Sequence, residues 1–206
     1  MRSLICTFGF DDRKIIDAMR SINHDEMIIV TGVDNTQLDA YLRLVEICNA
    51  LRTPVRTITI DVFNFAKSFE TMIALIRELR SKGNEVQMNI SGGLPLLSDA
   101  ALLAAFNEGV VSYYVDEKVM KLPVLKNVTI GERLTSRQKE ALKIVGSGIE
   151  PSRIDPSSKK DTELKSALLA LKTLGLIKFE EGVGKMVLTK EGETVRDWID
   201  RTEKAR

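Results

Sequence analysis

Over its first 125 residues the chain alternates short apolar runs with stretches of three- and four-residue periodicity, and that alternation restricts it to an α/β domain built on a mostly parallel sheet. Strand-like runs fall at 3–7, 27–31, 56–60, 85–90 and 110–115, and a sixth at 119–124 is expected to pair with the fifth through Asp116 and Glu117. Between them three sets of apolar residues each fall on one helix face: Ile15, Ile16, Met19 and Ile22; Leu38, Tyr41, Leu42, Val45 and Cys48; Phe69, Met72, Ile73, Ile76 and Leu79. A fourth helix at 96–108 is apolar nearly all round, which calls for cover on two sides, by the sheet and by something else such as a second subunit.

Composition excludes several classes. Thirty Lys+Arg against 29 Asp+Glu leave a formal net charge of +1, and 44% hydrophobic residues rule out a disordered acidic chain or a polybasic one. No apolar run reaches the roughly 18 residues of a membrane span, and Met1-Arg2-Ser3 leads into the first strand without the zones of a signal peptide, so a cytoplasmic location and no membrane partner are expected. Cys6 and Cys48 sit apart in apolar segments, which suits buried thiols. A single histidine, His24, excludes a multi-histidine metal site; none is expected, and no cofactor is required.

The texture changes after residue 125. We divide the chain into a Rossmann-like domain at 1–125, a linker at 126–133 and a smaller domain at 134–206. In the smaller domain Thr135 or Ser136 is placed to cap a helix ending near Val145, and 146–160 reads as turns. A second helix opens at Asp161-Thr162-Glu163 and closes at Gly175, two strand-like runs flank Glu180-Glu181-Gly182-Val183-Gly184, and a last helix turns Val195, Trp198 and Ile199 inward. Helix, turns, helix, hairpin, helix is the order of a winged helix-turn-helix.

Charge supports that order. Residues 133–178 carry ten Lys/Arg against five acids. Residues 1–131 hold 14 bases and 16 acids, and 132–206 hold 16 and 13, so the near-neutral total is a sum over two unlike regions. Lys159, Lys160, Thr162, Lys165 and Ser166 fall at the start of the second helix, with Arg137 on the first helix and Lys185 near the hairpin, and all are candidates to meet double-stranded DNA as a recognition helix, its neighbours and a wing do. The alternative is an ordinary solvated helix face. The modest positive excess implies weak non-specific DNA binding and reliance on dimerisation.

Ligands of doubly wound sheets bind beyond the carboxyl ends of strands where the strand order reverses, commonly between the first and fourth. Both ends are marked here: Thr7-Phe8-Gly9-Phe10-Asp11 after the first, and Asn89-Ile90-Ser91-Gly92-Gly93-Leu94-Pro95 after the fourth. Glycines permit close backbone approach, Asn89 and Ser91 offer neutral donors, and a following helix start attracts phosphate, so an anionic nucleotide-like ligand is expected. A tight strand-to-helix turn with no ligand is the competing reading. Only Gly9 follows the first strand, so the dinucleotide fingerprint is missing, and no GxxxxGK[ST] occurs. Asp11 and Asp12 read as helix caps rather than a catalytic pair, His24 as a surface residue and Trp198 as core.

The two marked loops, together with Gly175-Leu176-Ile177 and Leu188-Thr189-Lys190-Glu191-Gly192 in the smaller domain, resemble the archaeal CRISPR-associated regulators that join a CRISPR-associated Rossmann fold sensor domain to a winged helix-turn-helix. The resemblance implies a homodimer whose sensor domains share a pocket for a cyclic oligoadenylate, cyclic tetra-adenylate being the candidate effector, and whose winged helices bind promoter DNA. By motif, Thr7, Phe8, Gly9 and Phe10 and the run Asn89, Ser91, Gly92, Gly93, Leu94 and Pro95 line that pocket. Many such domains carry Lys or Arg shortly after Gly-Gly; here Leu94-Pro95-Leu96-Leu97 stands instead, so no catalytic residue and no ring-opening nuclease activity is expected. A ring nuclease, and a protein-interaction module that binds no DNA, are the two rival functions.

Overall fold

The computed structural model describes residues 1–125, 129–146, 159–182 and 184–204. Expectations for 147–158, and for the side chains of Lys159 and Lys160, lie outside the described residues. The chain divides into two compact units, Met1–Lys126 and Asn127–Lys204.

In the first unit the elements run β1 (Arg2–Thr7), α1 (Arg13–Ser21), β2 (Glu26–Gly32), a 3₁₀ helix (Val33–Gln37), α2 (Asp39–Ala50), β3 (Val55–Ile60), α3 (Phe65–Ser81), β4 (Glu85–Asn89), α4 (Pro95–Glu108), β5 (Val111–Val115) and β6 (Val119–Lys121). The sheet order is β3-β2-β1-β4-β5-β6, parallel except for β6, which pairs antiparallel to β5. Direction along the sheet reverses between β1 and β4, which places a switch point between their carboxyl ends. Strand six stops at Lys121 instead of continuing to 124; Pro123, just beyond, has no N–H to donate to a ladder.

Central strands of a parallel sheet are covered on both faces, and β1 and β2 are buried along nearly their whole length. Leu4, Cys6 and Phe8 pack with Met27, Ile29, Ile15, Ala18, Leu44 and Cys48 in one cluster, on the side of α1 and α2. By alternation Ile5, Ile28 and Val30 face the other way, where α3 buries Phe69, Met72, Ile73 and Ile76. Ala100, Ala101, Ala104 and Ala105 of α4 are all fully buried, and α4 packs extensively on α3. The second cover that an apolar α4 requires thus includes α3 of the same chain. On α2 the inward face is Leu44 and Cys48, flanked by Leu38 and Tyr41; Leu42, expected inside, is 49% exposed, because the buried stripe lies one position further round the helix.

Both cysteines are free and buried. Burial pushes the Cys6 thiol far above its ordinary range and Cys48 up to about 11. A thiol reagent at pH 8 is therefore expected to leave both unmodified in the native protein and to titrate both after denaturation. Rapid native labelling of either would show that the α1–α2 face opens.

The second unit begins with a turn that sequence placed in a linker: Thr129 accepts the Glu132 N–H, and Glu132 accepts the Thr129 N–H, capping α5 (Ile130–Arg133). The same reciprocal box, Thr135 with Gln138, starts α6 (Ser136–Val145). Then come α7 (Lys159–Thr173), β7 (Ile177–Glu180), β8 (Lys185–Leu188) and α8 (Lys190–Lys204), with β7 and β8 antiparallel. Gly175 (φ +71°) and Gly184 (φ +68°) supply the left-handed residues after α7 and before β8. Leu142, Val145, Leu168, Leu171, Leu176, Ile177, Met186 and Ile199 are among the core, with Val195 packed against it, whereas Trp198, expected inside, is half-buried and not part of that cluster. The run Leu188–Gly192 is a structural clasp: Thr189 Oγ1 donates to the Gly175 carbonyl (2.7 Å) and accepts the Gly192 N–H (3.0 Å).

Candidate functional site

The loops after β1 and β4 meet at the switch point. Backbone closeness explains their glycines: a Cβ on Gly9 would stand 2.7 Å from the Gly93 Cα, and one on Gly92 would stand 2.2 Å from the Thr7 carbonyl oxygen. Gly93 has φ +89°, a conformation that side chains rarely adopt. The glycines thus serve the contact of one loop with the other.

Beneath the loops lies a buried polar framework. The Phe8 N–H donates to the Val30 carbonyl (2.9 Å), Thr31 Oγ1 donates to the Phe8 carbonyl (3.0 Å) and Asn35 Nδ2 donates to Thr31 Oγ1 (3.1 Å). Asn89 Oδ1 accepts from the Ser91 N–H (3.2 Å) and Ser91 Oγ (2.6 Å), its Nδ2 donates weakly to the Lys14 carbonyl (3.4 Å), and Ser91 Oγ accepts the Val115 N–H. Buried polar groups need partners, and these have found them inside the protein. Asn89 and Ser91, expected as donors to a ligand, therefore hold the loop. Thr7, Phe8, Gly9 and Gly92 are buried, with the Phe8 ring edge-on to Tyr41 (5.7 Å between centroids).

Phe10, Gly93, Leu94 and Pro95 form the accessible part of the expected set. Phe10 is 74% exposed. α4 starts with Leu94 at its cap, with no side-chain cap bond, and Pro95 in its first turn; the N–H groups of Gly93, Leu94 and Leu96 have no acceptor among the described residues. Unpaired N–H groups at a helix start are the backbone's own anion-binding device.

Asp12 and Arg43 complete the neighbourhood, and only Asp12 was singled out in sequence. Asp11 caps α1, its Oδ1 accepting the Arg13 N–H (2.9 Å), but Asp12 makes no side-chain cap bond. Its Oδ2 accepts from Arg43 Nε at 2.6 Å instead. That guanidinium holds the Asp12 carboxyl below the usual carboxylate range, and Asp12 in turn raises Arg43. A lone arginine on the outer face of α2 carries no periodic signal. His24 lies away from this site: half-buried, with Nδ1 against the Ile22 carbonyl (2.7 Å), it precedes β2 at the amino end of the sheet. There it lines a cavity of about 520 Å³ between α1 and α2, with Ile16, Met19, Ile47 and Leu51.

Of the residues expected to face DNA, Thr162, Lys165 and Ser166 lie exposed on α7 with Leu169, at helical spacing. Arg137 is paired with Glu140 and Glu163, each at 3.2 Å. Lys185 is half-buried at the start of β8. Among the described residues no helix is long and apolar enough to cross a membrane, and no cluster of His, Cys, Asp or Glu could hold a metal.

Comparison with known proteins places this geometry. No curated protein matches the sequence. In fold the chain is similar to protein VC1899 from Vibrio cholerae (15% identity, TM-score 0.53, covering 98% of this chain and 66% of that one). It is similar also to Can2 from Sulfobacillus thermosulfidooxidans, solved in complex with cyclic tetra-adenylate (10% identity, TM-score 0.52, covering 97% and 65%). Enterococcus italicus Csm6 bound to cyclic hexa-2'-fluoro-hexa-dAMP follows (15% identity, TM-score 0.50, covering 85% and 55%). The chain thus spans just under two thirds of the first two proteins and about half of the third. Residues 2–124, the whole Rossmann-like unit with both switch-point loops, match the Csa3 CRISPR-associated Rossmann-like domain, and the chain belongs to that family.

Proposed function

We propose that this protein is a dimeric CRISPR-associated transcription regulator that binds a cyclic oligoadenylate at the β1–β4 switch point and promoter DNA through a winged helix in residues 134–206. The single observation that carries the ligand half is the switch point itself, where unpaired N–H groups at the start of α4 adjoin the exposed Phe10. The solved relative Can2 holds cyclic tetra-adenylate, which makes that ring the first ligand to test. The order α6, α7, β7–β8, α8 and the exposed stripe Thr162, Lys165, Ser166 support the DNA half. A ligand changes DNA affinity only if it binds the two dimer geometries unequally, and a pocket shared by two subunits can meet that condition.

No ring-opening step is assigned. The ring's own 2′-hydroxyl can serve as nucleophile, so the protein would have to supply a proton acceptor and donor at the scissile phosphate. Ser91 is already bonded to Asn89 and Val115, and His24 is at the other end of the sheet. The test is an electrophoretic shift of DNA from the protein's own CRISPR-associated promoter with and without cyclic tetra-adenylate, followed by chromatography of the nucleotide. A shift whose midpoint moves with ligand, and a ring recovered intact, are the expected results. Indifference to every such DNA rejects the regulator, and linear product makes the protein a ring nuclease.

A further inference from the structure

Phe63 and Phe10 are the two most exposed large apolar side chains among the described residues, at 78% and 74%. Both stand on loops at the carboxyl edge of the sheet. Each phenylalanine lies three residues beyond its strand, Phe10 after Thr7 of β1 and Phe63 after Ile60 of β3. An aspartate turn fixes each loop from a different side: Asp11, just after Phe10, accepts the Arg13 N–H at its Oδ1 (2.9 Å), and Asp61, two residues before Phe63, accepts the Phe63 N–H at its Oδ1 (3.1 Å). After each a helix begins whose first turn presents an exposed base, Arg13 on α1 and Lys67 on α3. Lys67 has no carboxylate within 4.0 Å among the described residues.

A scattered exposed apolar residue is ordinary. Two exposed phenyl rings at the same offset from their strands, each followed in sequence by an exposed cation, along the edge where the nucleotide site lies, are a repeated feature. An exposed ring followed by a cation suits one chemistry well: the ring stacks a nucleobase while the cation meets the phosphodiester. Strands stand about 4.8 Å apart, so the end of β3 lies roughly 10 Å from the end of β1, with the 63%-exposed Val33 at the end of the intervening β2. A mononucleotide seated between β1 and β4 has no need of that reach.

We infer that Phe63 is a second base-stacking platform, and that the ligand is an oligonucleotide extending from the switch point across the end of β2 to the end of β3. This rests on the nucleotide reading of the switch point and adds to it the span of the ligand and a residue outside both glycine loops. Phe63 acts as a stacking surface and Lys67 as the companion cation. Since the Phe63 side chain is largely in water, its replacement leaves the core intact.

The experiment is a calorimetric titration of the full chain, as wild type, Phe63→Ala and Phe63→Trp, with cyclic tetra-adenylate and with 5′-AMP. Phe63→Ala is expected to weaken cyclic tetra-adenylate by about 5- to 150-fold, the usual loss for one base stack, and Phe63→Trp to restore it. Any response to AMP is expected to be the same in all three proteins. Unchanged affinity for cyclic tetra-adenylate in Phe63→Ala, or an equal loss for AMP, overturns the second platform while leaving the switch-point site standing. A wild type that binds neither nucleotide overturns the switch-point reading itself, and the second platform with it.

Discussion

Replacing Gly92 by alanine is expected to remove measurable binding of cyclic tetra-adenylate and to lower the melting temperature by several degrees. The new Cβ would stand 2.2 Å from the Thr7 carbonyl oxygen and 3.1 Å from its carbon, and neither is the movable end of a side chain. Thr7 ends β1 and is in register with Val30 of β2, so it cannot retreat without disturbing the central ladder. The loop must yield instead. Overpacking of this kind costs about 1–3 kcal/mol, and each kcal/mol moves the midpoint of a chain this size by about 2–4 °C. The ligand is expected to lose more than the fold does, because displacing Gly92 also displaces the unpaired N–H groups of Gly93 and Leu94 at the start of α4. Gly83→Ala is the control: its φ of +79° is strained for alanine, but nothing lies within 4 Å of the added carbon. It is expected to cost about 1 kcal/mol and leave ligand affinity unchanged. Equal binding by Gly92→Ala and wild type would show that the glycine clasp does not shape the site.

How far the sequence could disclose this site depends on which forces leave a periodic trace. Strand and helix order was legible because burial imposes periods of two and 3.6, and Phe69, Met72, Ile73, Ile76 and Leu79 all fall inside as spaced. The glycine loops were legible because glycine is a rare type with a steric reason. Which groups those loops would leave free was not, since Asn89 and Ser91 look like available donors until their internal partners are located. Asp12 shows the same limit: adjacent acids at a helix start read alike, yet one caps the helix and the other pairs with an arginine 31 residues away. Phe63 left no pattern because a single loop aromatic has no period; the clue was its offset from β3, the same as that of Phe10 from β1. In the smaller unit a cap at Thr135 or Ser136 and a stop at Gly175 were readable, and the cap is Thr135, whereas the turn at Thr129 passed for linker because a four-residue helix gives no repeat.

Raising NaCl from 50 to 200 mM is expected to weaken DNA binding by about three powers of ten, despite a net charge of only +1. Net charge is a poor guide because counterion release counts the cations that meet phosphates. Ion pairs within the second unit already occupy several: Arg137 with Glu140 and Glu163, Lys143 with Asp200 and Glu203, Arg196 with Asp197. Lys165 and Lys172 on α7 and Lys178 on β7 are exposed and have no such carboxylate among the described residues. Three such contacts per protomer make six in a dimer, for which the slope of log affinity against log salt is about −5. Lys165→Ala, present in both protomers, is expected to make that slope shallower by about 2. Arg137→Ala is expected to change it less, because its guanidinium is already neutralised within the protein. Filter binding across a salt series reads both slopes. A flat profile would assign the second unit to protein contacts, and equal slope changes for the two variants would mean that DNA draws Arg137 away from its glutamates.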